Sequence, residues 1–450
     1  MTGELPYDQI LAAFMFAGMI GFLFLGFPVA FSLTFTGLLF GALGVATGFL
    51  RPDFMNILPI RIWGTMTNFT LLAVPLFVFM GVALEKSGIA EELLETMALL
   101  FGHLRGGIAI SVVVVGAILA ASTGIVGASV ITMGMISLPT MLRRGYDKEL
   151  ICGTICASGT LGQIIPPSII LILMGDIMGV SVGDLYIGAV VPGLVLVGLY
   201  IVYLAVISWW KPEVAPAIAA TEIAAFRADA VKRVGLALLP AFVLIVGVLG
   251  SIFAGVASPT EAASVGAAGG LMLTMVKGRF SMAMLRNVMQ VTTRITSLGF
   301  IILVGANCFG LVFRGLNGDH LVQDFLKSLP FGPYGVLALV MFVIFLLGFF
   351  IDYYEICFIH VPILVPVLVE HFGFDALWLA IAISVNLQTS FLTPPFGFSL
   401  FFLRGVAPPE VKTMDIYHGV IPFVALQLIG LALTIAFPIL VFGPLRFFRS

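Results

Sequence analysis

Charged side chains are scarce in this sequence, at 10% of its 450 residues, whereas a soluble globular domain carries roughly 25%. Hydrophobic residues make up 60%, and the mean hydropathy is +1.17. The net charge of −2 lacks the basic excess that nucleic-acid binding needs. The composition therefore indicates a membrane protein with no nucleic-acid partner.

Cysteine is also rare, with four residues that all lie in apolar surroundings. Cys152 and Cys156 are one helical turn apart, which favours small packing residues over a zinc site or a disulfide framework. The first nine residues contain two acids and no base before the first apolar run, so we expect no cleaved signal peptide.

Long apolar runs dominate the rest of the chain, and a membrane span needs about 20 such residues. A different segment, 89–102, carries Glu91, Glu92 and Glu95 on one face and predicts an amphipathic helix at the membrane surface. The polar stretch 211–235 predicts a cytoplasmic linker. The predicted ordinary spans are 9–50 (two spans broken at 26–28), 66–84, 184–210, 236–254, 257–276, 291–313 and 417–443.

The two halves of the sequence repeat. Pro166 and Pro394 each begin a proline pair, and 394 − 166 = 228. The Gly-aromatic-Asp triplets at 145–147 and 373–375 have the same spacing. Basic residues flank the apolar block of the first half and are few around that of the second, which by the positive-inside rule gives the halves opposite orientations. The sequence therefore predicts two inverted-topology repeats, a common plan of secondary transporters.

Each repeat contains a predicted re-entrant hairpin. In the first repeat, the segments 106–120 and 130–144 flank a tip at 121–129. Each flank is about 22 Å long as a helix, less than the ~30 Å hydrocarbon core, so the chain is expected to enter and leave on one side. The alternative is one or two ordinary spans whose small residues allow close packing.

Each repeat also contains a predicted discontinuous helix. In the first, 149–161 and 169–178 are each too short to span and are separated by the stretch from Gly162 to Ser168. Freed carbonyls at such a break can coordinate a small cation, and half-helix N-termini favour an anion. Thr160 and Ser168 add hydroxyl oxygens. The alternative is a proline kink with no ligand.

The second hairpin tip, 348–360, holds acidic residues. Asp352 and Glu355 are three residues apart and would share a helix face. A membrane-buried acid is expensive and is a functional candidate by default. Three roles stay open for this acid: a proton relay together with His360, a carboxylate ligand for a cation, or an acid paired to an arginine. Asp352 is the stronger functional candidate, and Glu355 is consistent with a structural role.

Several motifs together resemble the large membrane (M, or DctM-type) subunit of TRAP (tripartite ATP-independent periplasmic) transporters. They are NFTLLAVPLFVFMG (68–81), LPTMLRRGYD (138–147), GTLGQIIPPS (159–168), SPTEAAS (258–264), FFIDYYEICFIHVPILVPV (349–367) and NLQTSFLTPPFGFSLFFLRGVAP (386–408). The first tip, Ser122-Thr123-Gly124, departs from the commoner serine-rich form of the family.

The resemblance implies an all-α polytopic membrane protein with an elevator-type, ion-transporter-like fold. Each inverted repeat would have scaffold helices, an amphipathic arm helix, a re-entrant helical hairpin and a discontinuous helix. The expected boundaries are scaffold 1–87, arm 88–105, hairpin and broken helix 106–180, closing helix 181–210, linker 211–235, scaffold 236–316, arm 317–333, hairpin and broken helix 334–408, and last helix with C-terminus 409–450.

The resemblance also implies sodium-coupled import of organic acids across a bacterial inner membrane, with no enzymatic activity and no cofactor other than Na⁺ as the coupling ion. A periplasmic substrate-binding protein and a small membrane subunit would be its partners, within membrane lipid. The sequences of the second hairpin tip and the second break resemble the branch of the family often linked to 2-oxo acids and lactate. This resemblance favours such monocarboxylates as substrates, and C4-dicarboxylates stay open.

The site residues follow by matching motifs. The first sodium site would comprise Ser122, Thr123, Gly124, Thr160, Gly162 and Pro166. The second would comprise Asp352, Asn386, Thr389 and Pro394. The hydroxyls of Ser129, Thr132, Ser168 and Ser399 would hold the carboxylate oxygens of the substrate.

Two rival functions stay open at this point. One is a stand-alone sodium/dicarboxylate symporter that needs no binding protein. The other, more remote, is an intramembrane aspartyl protease using Asp147, Asp176 or Asp352. Asp147 has a repeat counterpart in Asp375, so a shared turn or helix-cap role is the preferred interpretation of that pair.

Overall fold

The computed structural model describes residues 6–123, 126–218, 230–395 and 397–449, and their regular structure is helical. The helices of the first half are α1 Tyr7–Phe24, α2 Val29–Ala46, α3 Ile57–Met66, α4 Ala73–Lys86, α5 Ile89–Phe101, α6 Gly107–Thr123, α7 Val126–Arg143, α8 Lys148–Thr160, α9 Ile169–Met178 and α10 Val182–Trp210.

The helices of the second half follow in the same order. They are α11 Ala230–Phe253, α12 Pro259–Val276, α13 Met282–Gly315, α14 Gly318–Ser328, α15 Pro333–Leu347, α16 Tyr353–His371 (with π-helical turns), α17 Ala376–Leu392, α18 Phe398–Val406, α19 Thr413–Ala436 and α20 Ile439–Arg449. In the described residues, seven helices are long and apolar enough to cross a membrane. The prediction of an all-α polytopic protein is confirmed.

Helix starts show why the two halves match. Asp147 begins α8 by accepting hydrogen bonds from the backbone N–H groups of Glu149 and Leu150, at 3.0 and 3.2 Å. Asp375 begins α17 in the same way, accepting from Trp378 N at 2.9 Å. A glycine in the left-handed region stands two residues before each aspartate, where side chains other than glycine are disfavoured. The predicted cap role of this aspartate pair is confirmed.

The halves also pack on each other reciprocally. At a spacing of about 228 residues, α12 is the counterpart of α2 and α13 is the counterpart of α4. Helix α2 packs on α13 and α4 packs on α12, so each helix contacts the counterpart of the other. The same exchange joins α8 to α19 and α10 to α17. The opposite orientation of the halves in the membrane stays a prediction.

The core is formed by the two helices that precede the breaks. Residues 150–160 of α8 and 378–392 of α17 are all buried. At Gly153, an added Cβ would collide with the backbone carbonyl of Gly419, so α8 and α19 touch backbone to backbone.

Four predicted boundaries differ from the structure. The span predicted at 66–84 begins later, at residue 70, and is the second member of a bent pair, 52–66 and 70–86, with an angle of 54° between its helices. Helix α13 begins nine residues before the predicted span at 291 because Ser281 caps it, accepting from Met284 N at 3.0 Å. The span predicted at 417–443 divides into α19 and α20 at Pro438, which has no N–H to continue a helix. Helix α11 begins within the predicted linker, at Ala230.

Candidate functional site

The first break lies between α8 and α9 and is enclosed by protein. Gly162 and Pro166 are both buried. The short turn at 161–163 packs against α6 and α7, the two arms of the first hairpin. At Gly159, an added Cβ would stand 3.1 Å from the backbone nitrogen of Val130, so α8 and α7 approach closely there. The structure thus packs α6 and α7 onto the first break, and the re-entrant character of this helix pair stays a prediction, since α7 is long and apolar enough to cross a membrane.

The Thr160 hydroxyl makes three hydrogen bonds in this region. It donates to Ala157 O at 2.9 Å and accepts from the side-chain amides of Gln388 and Gln427, at 3.4 and 3.2 Å. The proton and both lone pairs of this buried hydroxyl are engaged, so Thr160 would have to reach an ion through its backbone carbonyl. Gly124 lies outside the described residues, and so do the side chains of Ser122 and Thr123.

Two serine hydroxyls lie at the breaks. The Ser168 hydroxyl donates to Gln163 O at 2.6 Å, across the first break. The Ser399 hydroxyl donates to Phe391 O at 2.8 Å, across the second. Both serines are fully buried. Each hydroxyl can still accept a hydrogen bond or coordinate a cation through its oxygen.

The second break, between α17 and α18, is more open than the first. Pro394 is half-buried and Pro395 is exposed. Asn386 and Thr389 are buried on α17 just before the break. The Asn386 amide donates to Met341 O of α15 at 2.7 Å, and the Thr389 hydroxyl donates to Val385 O at 3.0 Å.

The second hairpin tip lies against α17. A Cβ added to Gly348 would collide with the Ser390 side chain, and the rings of Tyr353 and Phe391 are 6.2 Å apart. Asp352 is half-buried and caps the start of α16, accepting from Tyr353 N at 2.7 Å. Among the described side chains, no hydrogen bond joins Asp352 to Asn386 or Thr389.

The two further hydroxyls predicted for the substrate, Ser129 and Thr132, lie on α7. Ser129 and Thr132 are both buried. Thr132 lines a cavity of about 590 Å³ between α7 and the amphipathic helix α5, whose wall also includes Glu91 and Glu95. The lining also includes Glu85, Lys86 and Arg279, so its charges are mixed, and a contact of Thr132 with a carboxylate stays a prediction.

The sequence analysis did not identify two polar features of the structure. One is Gln427, a lone amide in an apolar span, which the fold brings onto Thr160. The other is a cavity of about 210 Å³ that includes Arg61, Asp176 and Arg314 in its lining. The only available signal was the rarity of such residues in apolar segments. Asp176, considered above for proteolysis, instead accepts a hydrogen bond from the Asn68 amide at 2.5 Å.

Comparison with known proteins adds a family-level match. The profile described as "Tripartite ATP-independent periplasmic transporter, DctM component" matches residues 16–440. The C4-dicarboxylate TRAP transporter large permease protein DctM of Pseudomonas aeruginosa is 31% identical over 356 residues, covering 79% of this chain and 82% of that protein. The sialic acid TRAP transporter large permease protein SiaM of Vibrio cholerae is 29% identical over 425 residues, covering 94% and 95%.

A solved structure shows a similar fold. The YdaH transporter of Alcanivorax borkumensis, described as having an unusual topology, aligns with a TM-score of 0.63. The alignment covers 96% of this chain and 99% of that one, at 15% identity. At this identity the match supports the architecture and says nothing of substrate.

Proposed function

This chain belongs to the tripartite ATP-independent periplasmic transporter family as its DctM component, and from that premise we propose that it uses a sodium gradient to import an organic acid. It is a large permease subunit, a multi-pass protein of the inner membrane and a transporter rather than an enzyme. The observation that carries the sodium proposal is the pair of interrupted helices, each with a hairpin packed against it.

The chemistry of the breaks supports Na⁺ as the coupling ion. Main-chain carbonyls, hydroxyls and a carboxylate are hard oxygen donors, which suit Na⁺ better than a soft metal. The first site would use Thr160, Gly162 and Pro166 with the first tip. The second would use Asp352 with oxygens of Asn386, Thr389 and Pro394. Both sites place a cation where a helix C-terminus ends at a break, the negative end of its dipole.

A carboxylate is the substrate group that the geometry favours. Helices α9 and α18 begin at the breaks, so their N-terminal N–H groups offer partial positive charge. Ser168 directly precedes α9, Ser399 lies in the first turn of α18, and both supply hydroxyls. C4-dicarboxylates and sialic acid, which appear in the names of two relatives, all carry a carboxylate. Bound Na⁺ would offset its negative charge during passage through the low-dielectric interior.

The family's tripartite organisation supports two protein partners. A periplasmic substrate-binding protein would deliver the organic acid, and a small membrane subunit would brace the scaffold helices. The scaffold offers large apolar side chains to such a neighbour or to lipid, including Trp63 and Phe242, both more than half exposed.

An elevator motion is the transport mechanism we propose. The two hairpins and the two broken helices would move together, because each hairpin packs on the broken helices and the broken helices pack on each other. Helix α5 would be one arm: it packs on α6 of the hairpin, and Glu92 forms an ion pair with Lys277 at the end of α12. Helix α14 would be the other arm.

Uptake into proteoliposomes tests the proposal. The permease is reconstituted with its small subunit and binding protein, and uptake of radiolabelled lactate, pyruvate and succinate is followed with and without an inward sodium gradient. Sodium-dependent uptake of one acid is expected. Uptake that ignores sodium and follows a pH gradient would contradict it, and uptake without the binding protein would favour a stand-alone symporter.

A further inference from the structure

A second polar cavity lies outside both breaks. Its volume is about 210 Å³, and its walls come from α3 and α13 on one side and from α9 and α16 on the other. The space is enough for roughly seven waters at the ~30 Å³ each occupies in the liquid. It therefore suits a small organic molecule rather than a large one.

The charges in this cavity are unbalanced in favour of an anion. Two guanidinium groups and one carboxylate, from Arg61, Arg314 and Asp176, leave a net charge of +1 (2 − 1). Arg61 is half-buried and Arg314 is exposed at the rim. Neither guanidinium group makes an ion pair or a hydrogen bond with any residue that the structure describes, although the backbone carbonyls of Arg61 and Arg314 accept hydrogen bonds from Thr65 and Asn317.

The other polar groups of the cavity are already engaged. The Asp176 carboxylate accepts from the Asn68 amide at 2.5 Å. The Asn307 amide donates to the Thr65 hydroxyl and to Leu303 O, both at 3.1 Å. The two guanidinium groups are thus the donors left for a ligand. Their planar fork matches a carboxylate with two parallel hydrogen bonds.

We infer that this cavity is an anion-loading site, where Arg61 and Arg314 hold the carboxylate of a small organic acid before it reaches the breaks. This inference rests on the proposed function for the identity of the acid. The scaffold helices α3 and α13 provide the arginines, and α9 and α16, from the proposed moving part, close the opposite wall. The site would therefore exist only while these two walls face each other.

Chemical footprinting tests the site without any transport. The complete complex is placed in phosphatidylcholine nanodiscs and modified with phenylglyoxal, with lactate or the uncharged lactamide at constant ionic strength, and each arginine is read by mass spectrometry. Lactate should slow modification of Arg61 and Arg314 severalfold, and lactamide should not. Arg51, an exposed arginine outside the cavity lining, is the control and should react equally in all samples. Protection by added phosphatidylglycerol and none by lactate would mean a lipid site and would overturn the inference, as would no protection at all.

Uptake kinetics give an independent readout. Arg61→Gln and Arg314→Gln should each raise KM for the transported acid about tenfold, the value of one charge-assisted hydrogen bond, with the maximal rate little changed. Arg51→Gln should leave KM unchanged. Asp176→Asn removes a repelling charge and should lower KM. Since Arg314 is exposed, its variant is expected to fold even if Arg61→Gln does not.

An unchanged KM in Arg314→Gln, with sodium-driven uptake intact, would refute the loading site and leave the proposed function standing. Absent sodium-driven uptake in the unmodified protein would instead refute the proposed function, while the footprint would still report on the site.

Discussion

Thr160 and Gln388 occupy equivalent positions in the two halves of the chain, since 388 − 160 = 228, and their side chains meet: Gln388 Nε2 lies 3.4 Å from Thr160 Oγ1. Gln427 donates to the same hydroxyl at 3.2 Å. Helices α17 and α19 therefore both reach the end of α8, where the first break begins.

This contact predicts a coupled loss of stability. Thr160→Val leaves two buried amides without their acceptor and should lower the free energy of unfolding by about 1–2 kcal/mol. The double variant Thr160→Val, Gln388→Leu should lose less than the sum of the single losses, because the two residues share one interaction. Denaturation of the purified complex in detergent measures this.

Thr154→Val is the matched control for that experiment. Thr154 is fully buried on the same helix, and its hydroxyl donates only to Leu150 O at 2.7 Å. Paired with Gln388→Leu, its effect should be additive. Additive losses for Thr160 and Gln388 as well would show that their contact carries no energy.

Asp352 combines a helix cap with the charge proposed for Na⁺, and substitution can separate the two. Asparagine caps a helix about as well as aspartate, whereas alanine costs about 1 kcal/mol. Both Asp352→Asn and Asp352→Ala should abolish sodium-dependent uptake, and only the alanine variant should lose stability. Asp375→Ala removes a similar cap without touching the tip, so its uptake should keep full sodium dependence. Normal sodium coupling in Asp352→Asn would exclude the carboxylate as an essential ligand.

The serine at the first break provides a test of substrate contact. Ser168→Ala removes the hydroxyl that spans the break and should raise KM for the transported acid by about tenfold. Ser158→Ala is the control: Ser158 is equally buried on α8, and its hydroxyl donates to Ile155 O at 3.0 Å. Its KM should stay at the level of the unmodified protein. Equal KM values for both variants would remove Ser168 from the substrate site.

Replacing two glycines with alanine should change the stability of the protein in opposite directions. Gly153→Ala forces α8 away from the Gly419 backbone and should destabilise the protein by about 1–3 kcal/mol. Gly198 lies in helix α10 with no atom within 4 Å of an added Cβ, so Gly198→Ala should stabilise by up to about 1 kcal/mol through helix propensity. Thermal unfolding compares the two. A tolerated Gly153→Ala would mean that α8 and α19 are not packed this closely.

The sequence was sufficient where a local signal is strong. The first break was expected between 161 and 169, and α8 ends at Thr160 and α9 begins at Ile169, because paired prolines stop a helix wherever they occur. The acidic face of α5 and the helix caps at Asp147 and Asp375 were likewise predicted from neighbouring residues alone.

The remaining features depend on tertiary packing. Arg61, Asp176 and Arg314 share one cavity although they are far apart along the chain, and no periodicity in the sequence connects them. Gln427 reaches Thr160 only because α19 packs on α8. The sequence analysis did not predict α3 or its 54° bend into α4, and no proline stands between the two helices to mark the bend.

Equilibrium binding of ²²Na⁺ to the purified complex tests the central claim most directly, because it needs neither substrate nor a gradient. The account predicts saturable binding that falls in Asp352→Asn and is unchanged in Asp375→Ala. The absence of saturable ²²Na⁺ binding, or equal binding by the unmodified protein and Asp352→Asn, would contradict a sodium site at the second hairpin tip.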